Sequence, residues 1–96
     1  MQRDDLLSAE EKEHICEACA KSLRVMRTYL GWKQRELALA VGTTYRRISE
    51  IETGKAKLSW TLYMALAFVF SINHNTRNSP VYDTVVPKKM VRFLFE

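Results

Sequence analysis

The sequence predicts an all-α protein, a compact helical bundle, and three features point that way. Apolar residues recur at three- and four-residue intervals in four successive segments. Hydroxyl residues suited to capping stand at the start of three of them: Ser8, Thr43 with Thr44, and Ser59. All three glycines fall between these segments, as punctuation.

The first helix starts at Ser8, which with Glu11 forms the S-x-x-E pattern of a capping box. Ile15, Cys19, Leu23, Met26 and Leu30 then make one stripe, and Gly31 stops it. Glu10, Glu11 and Glu13 suit the positive end of the helix dipole. A short helix follows over Lys33–Val41, burying Leu37, Ala38 and Val41. After Gly42 a second runs over Thr44–Glu52, burying Ile48 and Ile51. Ser59 caps a fourth, through Ile72, with Trp60, Tyr63, Leu66, Ala67 and Phe70 as its main stripe. Leu62, Met64, Phe68 and Val69 make this helix apolar nearly all round, which requires cover on more than one side.

Beyond it, NHNTRNSP (73–80) reads as a loop. The tail is open between strand and helix. Val91, Phe93 and Phe95 alternate with Met90, Arg92 and Leu94, which slightly favours a strand, whereas Pro80 after Ser79 is a good helix start. The organisation read from the sequence is a flexible N-terminal segment (1–7), a helical domain (8–72) and a C-terminal extension (73–96).

Ninety-six residues, 47% of them hydrophobic, suit a single globular core. No run approaches the roughly 20 apolar residues of a membrane span. The start, MQRDDLLSAEEKEH, is acidic after one Arg and does not read as a secretion signal, so a cytoplasmic protein is expected. The net charge of +4 hides an asymmetry. Residues 1–20 carry two Lys/Arg against six Asp/Glu, net −4; residues 21–57 carry nine against three, net +6; residues 58–96 carry four against two, net +2. The basic middle third is compatible with phosphate binding, with a solvated surface as the plain alternative.

Cys16 and Cys19 form CEAC near His14. A structural zinc site needs about four ligands, and only the distant His74 remains, so no metal is expected and the thiols read as reduced packing residues. No Ser/His/Asp set, paired carboxylates or Gly-rich phosphate loop is present; neither an enzyme nor a cofactor is expected.

Two short helices joined by a tight Gly-containing turn are the pattern of a helix-turn-helix. The run WKQRELALAVGTTYRRISEIETGK resembles the Cro/C1-type (XRE) helix-turn-helix family of phage repressors and bacterial regulators. Gln34, Leu37, Ala38, Gly42, Ile48, Ser49, Glu52, Gly54 and Lys55 are in register with the family, and the likeness covers residues 23–72. It implies double-stranded DNA as partner, with the helix Thr44–Glu52 in the major groove. Thr44, Tyr45, Arg46 and Glu50 then fall at positions that face base edges. Arg46 suits guanine O6/N7, worth about 1–3 kcal/mol of discrimination; Tyr45 suits a thymine methyl and Glu50 cytosine N4. Lys33, Gln34, Arg47, Thr53, Lys55 and Lys57 fall where phosphates are held. The family also pairs an Arg of the first helix with the Glu that ends the recognition helix, here Arg27 and Glu52, as a structural clamp.

The sequence departs from the family at Lys33, in place of a capping residue; at Leu39, where a polar residue is usual; and in the apolar surplus of the fourth helix. That surplus, Leu62, Met64, Phe68 and Val69, together with Val91, Phe93 and Phe95, is a candidate homodimer surface or a site of tail packing. The favoured reading is a bacterial or phage-encoded, nucleoid-associated repressor that dimerises on a pseudo-palindromic operator. The competing reading is an antitoxin-like or coactivator-like module whose tail captures a partner protein.

Overall fold

Ser8 starts the first helix as the sequence predicts. Its Oγ accepts from the Glu11 N–H at 3.1 Å, and Glu11 Oε1 accepts from the Ser8 N–H at 3.0 Å. The structure, a computed structural model, describes residues 7–95, with side chains through Leu94. From this cap α1 (Ala9–Leu30) runs 22 residues, until Gly31 adopts the left-handed conformation and its N–H bonds back to Arg27 and Thr28.

Next come α2 (Gln34–Val41), α3 (Tyr45–Glu52) and α4 (Trp60–Ile72). Ser59 Oγ caps α4 by accepting from the Leu62 N–H at 3.2 Å. α1 is the central column. It packs against α3 and α4, while α2 rests on α3 and α4. Leu23 and Met26 of α1, Leu37 of α2, Ile48 of α3 and Leu66 and Phe70 of α4 are fully buried in one core. Each such side chain contributes about 1.5–3 kcal/mol through its removal from water. Among the described residues no strand is present, and the fold is all-α.

Three expectations are corrected. The segment 73–80 is not all loop: α5 (His74–Arg77) is one helical turn. Asn73 Oδ1 caps it by accepting from the N–H groups of Asn75 and Thr76, and the buried Thr76 hydroxyl donates to the Phe70 carbonyl at 2.7 Å. The slight preference for a strand over Val91 and Phe93 is also overturned, since α6 (Tyr82–Val85) and α7 (Lys88–Phe95) are helical. The physical reason is partnership. A strand here has no neighbour to complete its hydrogen bonds, whereas a helix bonds internally and gathers Met90, Val91, Phe93 and Leu94 toward the core. Leu7, assigned to a flexible segment, is only 3% exposed and belongs to the core. Residues 1–6 of that segment lie outside the described residues, as does the Phe95 side chain.

The tail therefore covers the body. Val85, Val86 and Met90 are completely buried, and α6 lies along α1. Tyr63 of α4 donates its hydroxyl to the Val85 carbonyl at 2.7 Å, Tyr82 and Ser71 share a hydroxyl contact at 2.7 Å, and Lys89 pairs with Glu11. This tethering ties the tail to α1 and α4.

Candidate nucleic-acid interface

The turn between α2 and α3 is built from Gly42 and two threonines. Gly42 has φ +79°, a left-handed conformation that costs an L side chain about 1–2 kcal/mol. Nothing lies within 4 Å of where its Cβ would be, so backbone strain rather than crowding favours glycine there. Thr43 N–H returns to the Ala38 carbonyl at 2.9 Å, and Thr44 Oγ1 accepts from the Arg47 N–H at 3.1 Å, which opens α3. Lys33, at the same position of α2, makes no side-chain cap; Glu36 instead reaches back to the Lys33 N–H at 2.8 Å.

α3 is sharply two-sided. Ile48 and Ile51 are buried, while Thr44, Tyr45, Arg46 and Arg47 are exposed together at its N-terminal end. Tyr45, the first residue of α3, is 47% exposed. Arg46 is tied loosely to Glu50 one turn on, Nε to Oε2 at 3.7 Å, and its side chain stays 84% exposed. This pair leaves Glu50 half-buried and occupied by its neighbour.

The flanks of α3 carry the basic and hydroxyl residues. Lys33 is exposed at the start of α2, and Thr53, Lys55 and Lys57 line the connection to α4. Thr53 Oγ1 is turned back to the Ser49 and Glu50 carbonyls. Arg47 and Lys57 border one recess of about 380 Å³ together with Thr43, Ser59 and Thr61. Two cations and several hydroxyls beside a helix N-terminus match the chemistry of a phosphate oxygen.

Gln34 is placed differently from its neighbours. Its Nε2 donates to Glu52 Oε1 at 3.0 Å, so its amide joins the clamp behind the interface. Glu52 is the hub of that clamp. Its side chain is completely buried and accepts from Arg27 Nε at 2.8 Å and Nη2 at 3.1 Å, with Arg24 Nε 3.7 Å away. Arg27 Nη1 also donates to the Trp32 carbonyl at 3.1 Å. Burial alone raises the Glu52 pKa, but the hydrogen bonds from Arg27 and Gln34 and the charges of Arg27 and Arg24 outweigh it, and the carboxyl is held below its ordinary value. The same hydrogen bond holds Arg27 more firmly protonated.

Sequence reading missed two members of this region. Arg24 joins the clamp one turn before Arg27, a spacing that was legible. Arg35 lies with its guanidinium carbon 4.6 Å from the centre of the Tyr45 ring, a contact across the turn that no local spacing announces. Of the residues assigned to a dimer or tail surface, Leu62, Met64, Val69, Val91 and Phe93 are half-buried against the core, whereas Phe68 is 61% exposed. Ile72 and Leu39 are exposed as well.

Cys16 and Cys19 are buried within α1. Burial pushes the Cys16 thiol up to about 11 and Cys19 higher still, which suppresses thiolate chemistry at neutral pH. Among the described residues no cluster of three or more His, Cys, Asp or Glu side chains is placed to hold a metal, and no helix is long and apolar enough to cross a membrane.

A short helix held by its buried face, with an exposed polar end beyond a glycine turn, defines a helix-turn-helix DNA-binding domain. Residues 23–67 match the helix-turn-helix family model. This segment, just under half of the chain, matches the Cro/C1-type (XRE family) helix-turn-helix domain, a domain of DNA-binding transcription regulators. No curated protein and no solved structure matches the chain significantly.

Proposed function

We propose that the protein is a sequence-specific repressor that inserts α3 into the major groove and blocks a promoter by occupying it. The observation that carries this reading is the two-sidedness of α3: Tyr45, Arg46 and Arg47 stand exposed on a helix that Ile48, Ile51 and the Glu52 clamp hold rigid. A reading head must not move relative to its scaffold, because base discrimination depends on placement within fractions of an ångström. In this reading Thr44, Tyr45, Arg46 and Glu50 meet base edges. Lys33, Arg47, Thr53, Lys55 and Lys57 hold phosphates on either side, with Gln34 bracing the clamp as well as facing the backbone.

Reading a pseudo-palindrome requires two copies with recognition helices about 34 Å apart. The exposed Phe68 and Ile72 on α4 support a homodimer surface on that helix. The competing module, in which the tail captures a partner protein, draws less support, because Val85, Val86 and Met90 are already spent on the chain's own core.

The test is selection from a pool of random duplex DNA at about 50 and 200 mM salt, with Arg46→Ala in parallel. Enrichment of a palindromic site, weakened at one base pair in the variant, is the expected result. Salt-sensitive binding without enrichment leaves only a basic surface and overturns sequence reading.

A further inference from the structure

Arg35 and Tyr45 come from different helices, yet they form one unit. Arg35 sits in the first turn of α2, beside Lys33 and Gln34, and Tyr45 is the first residue of α3. Across the glycine turn the guanidinium carbon lies 4.6 Å from the Tyr45 ring centre, inside the range of a cation–π contact. Both residues are exposed. The contact therefore does not fill the core; it lies against a surface aromatic.

We propose that Arg35 is a specificity-determining residue of the DNA interface, which holds the Tyr45 ring in the pose that reads a thymine. The inference rests on the DNA-reading function proposed above. A half-exposed tyrosine without support samples several rotamers, and freezing it on DNA opposes binding. A guanidinium stacked on one face removes that freedom beforehand and leaves the other face and the hydroxyl for the base. Arginine suits this task because its charge is planar and weakly hydrated. Its N–H edge stays available to a phosphate oxygen while its face is covered. The placement agrees: Arg35 projects from the end of α2 that lies among the phosphate-holding candidates, and Tyr45 from the end of α3 that lies among the base-reading ones. One contact thus links the backbone anchor to the reading head, so that a base is read only when the anchor is seated.

The experiment is a double-mutant cycle on the site that the wild-type protein selects, using Arg35→Ala, Tyr45→Ala, the double variant and Arg35→Lys, with circular dichroism confirming the fold of each. Arg35→Ala is expected to weaken binding by about threefold to fivefold, the magnitude of an exposed cation–π contact. It also relaxes preference at one thymine position. The double variant binds no worse than Tyr45→Ala apart from the loss of one charge from the salt dependence. Arg35→Lys keeps the salt slope but not the base preference, since an ammonium has no plane to stack. An additive cycle, or unchanged preference in Arg35→Ala, overturns the role of Arg35 while leaving DNA reading intact. Failure of the wild-type protein to enrich any site removes the proposed function and this inference with it.

Discussion

Arg27 grips both carboxylate oxygens of Glu52, Nε to Oε2 at 2.8 Å and Nη2 to Oε1 at 3.1 Å. The two residues lie 25 positions apart, on the first and third helices, and the third arm of the guanidinium holds the Trp32 carbonyl. With Gln34 bonded to the same carboxylate, one buried anion joins α1, the start of α2 and the end of α3. Desolvating such a pair opposes much of its attraction, so its main product is geometry: α3 is held at one angle to α1.

Removing the anion exposes that arrangement. Glu52→Ala strands the Arg27 guanidinium and the Gln34 amide, and a cost of about 3 kcal/mol is expected from breaking a buried pair on one side. Urea unfolding measures it. A loss below about 0.5 kcal/mol, the scale of a surface substitution, would falsify the clamp.

The pair also sets a pH dependence. The Glu52 carboxyl is held below its ordinary value in the folded chain, so the unfolded chain binds its proton first as pH falls. Stability from the clamp is complete above the ordinary carboxylate range, near pH 4.3, and declines as pH drops through the lower folded value. The stability gap between wild type and Glu52→Gln is expected to be wide at neutral pH and to close in acid. A gap that stays constant down to about pH 3 contradicts the lowered pKa.

The tail hangs on Tyr63. Its hydroxyl donates to the Val85 carbonyl in a fully buried setting, and Tyr63→Phe leaves that carbonyl without its partner. A loss of about 1–3 kcal/mol follows from an unsatisfied buried acceptor. Limited proteolysis is expected to cleave the variant faster within residues 78–89, before any cut in α1. Equal cleavage rates would show that the tail is held by apolar packing alone.

Lys55 and Lys57 are expected to act on DNA without regard to sequence. Replacing either with Ala lowers the slope of log affinity against log salt by about 0.9, the value for one phosphate contact, and leaves the selected site unchanged. A change in the preferred bases would reassign the residue to base reading.

Phe68 tests the dimer. It is 61% exposed, so Phe68→Glu is expected to leave the fold intact by circular dichroism while shifting sedimentation toward the monomer. The selected site should shrink to a half-site, since a monomer reads one groove only. A variant that remains dimeric places the interface elsewhere.

Much of the first four helices was legible because their signals are local. The Ser8–Glu11 box, the glycines at 31 and 42, the Thr44 cap and the stripe of Ile48 and Ile51 act within a few residues of one another, and the structure places each as its neighbours dictate. Asn73 as the cap of α5 is an equally local signal, set inside a polar run. The residues beyond it were not legible. Val91 and Phe93 alternate as a strand does, and only packing against the core, which Val85, Val86 and Met90 of the tail itself enter, makes the helical face the buried one.

The sequence alone determined the elements that terminate and cap themselves, and with them the helix-turn-helix and its basic setting. Tertiary structure decided which side chains share a partner: Gln34 with the Arg27–Glu52 clamp, Arg35 with Tyr45, and Tyr63 with Val85. The reason is range. Capping and periodicity act over about one helical turn, about 5.4 Å along the axis, whereas a hydrogen bond or a stacked ring responds to whichever residue the folded chain brings within reach.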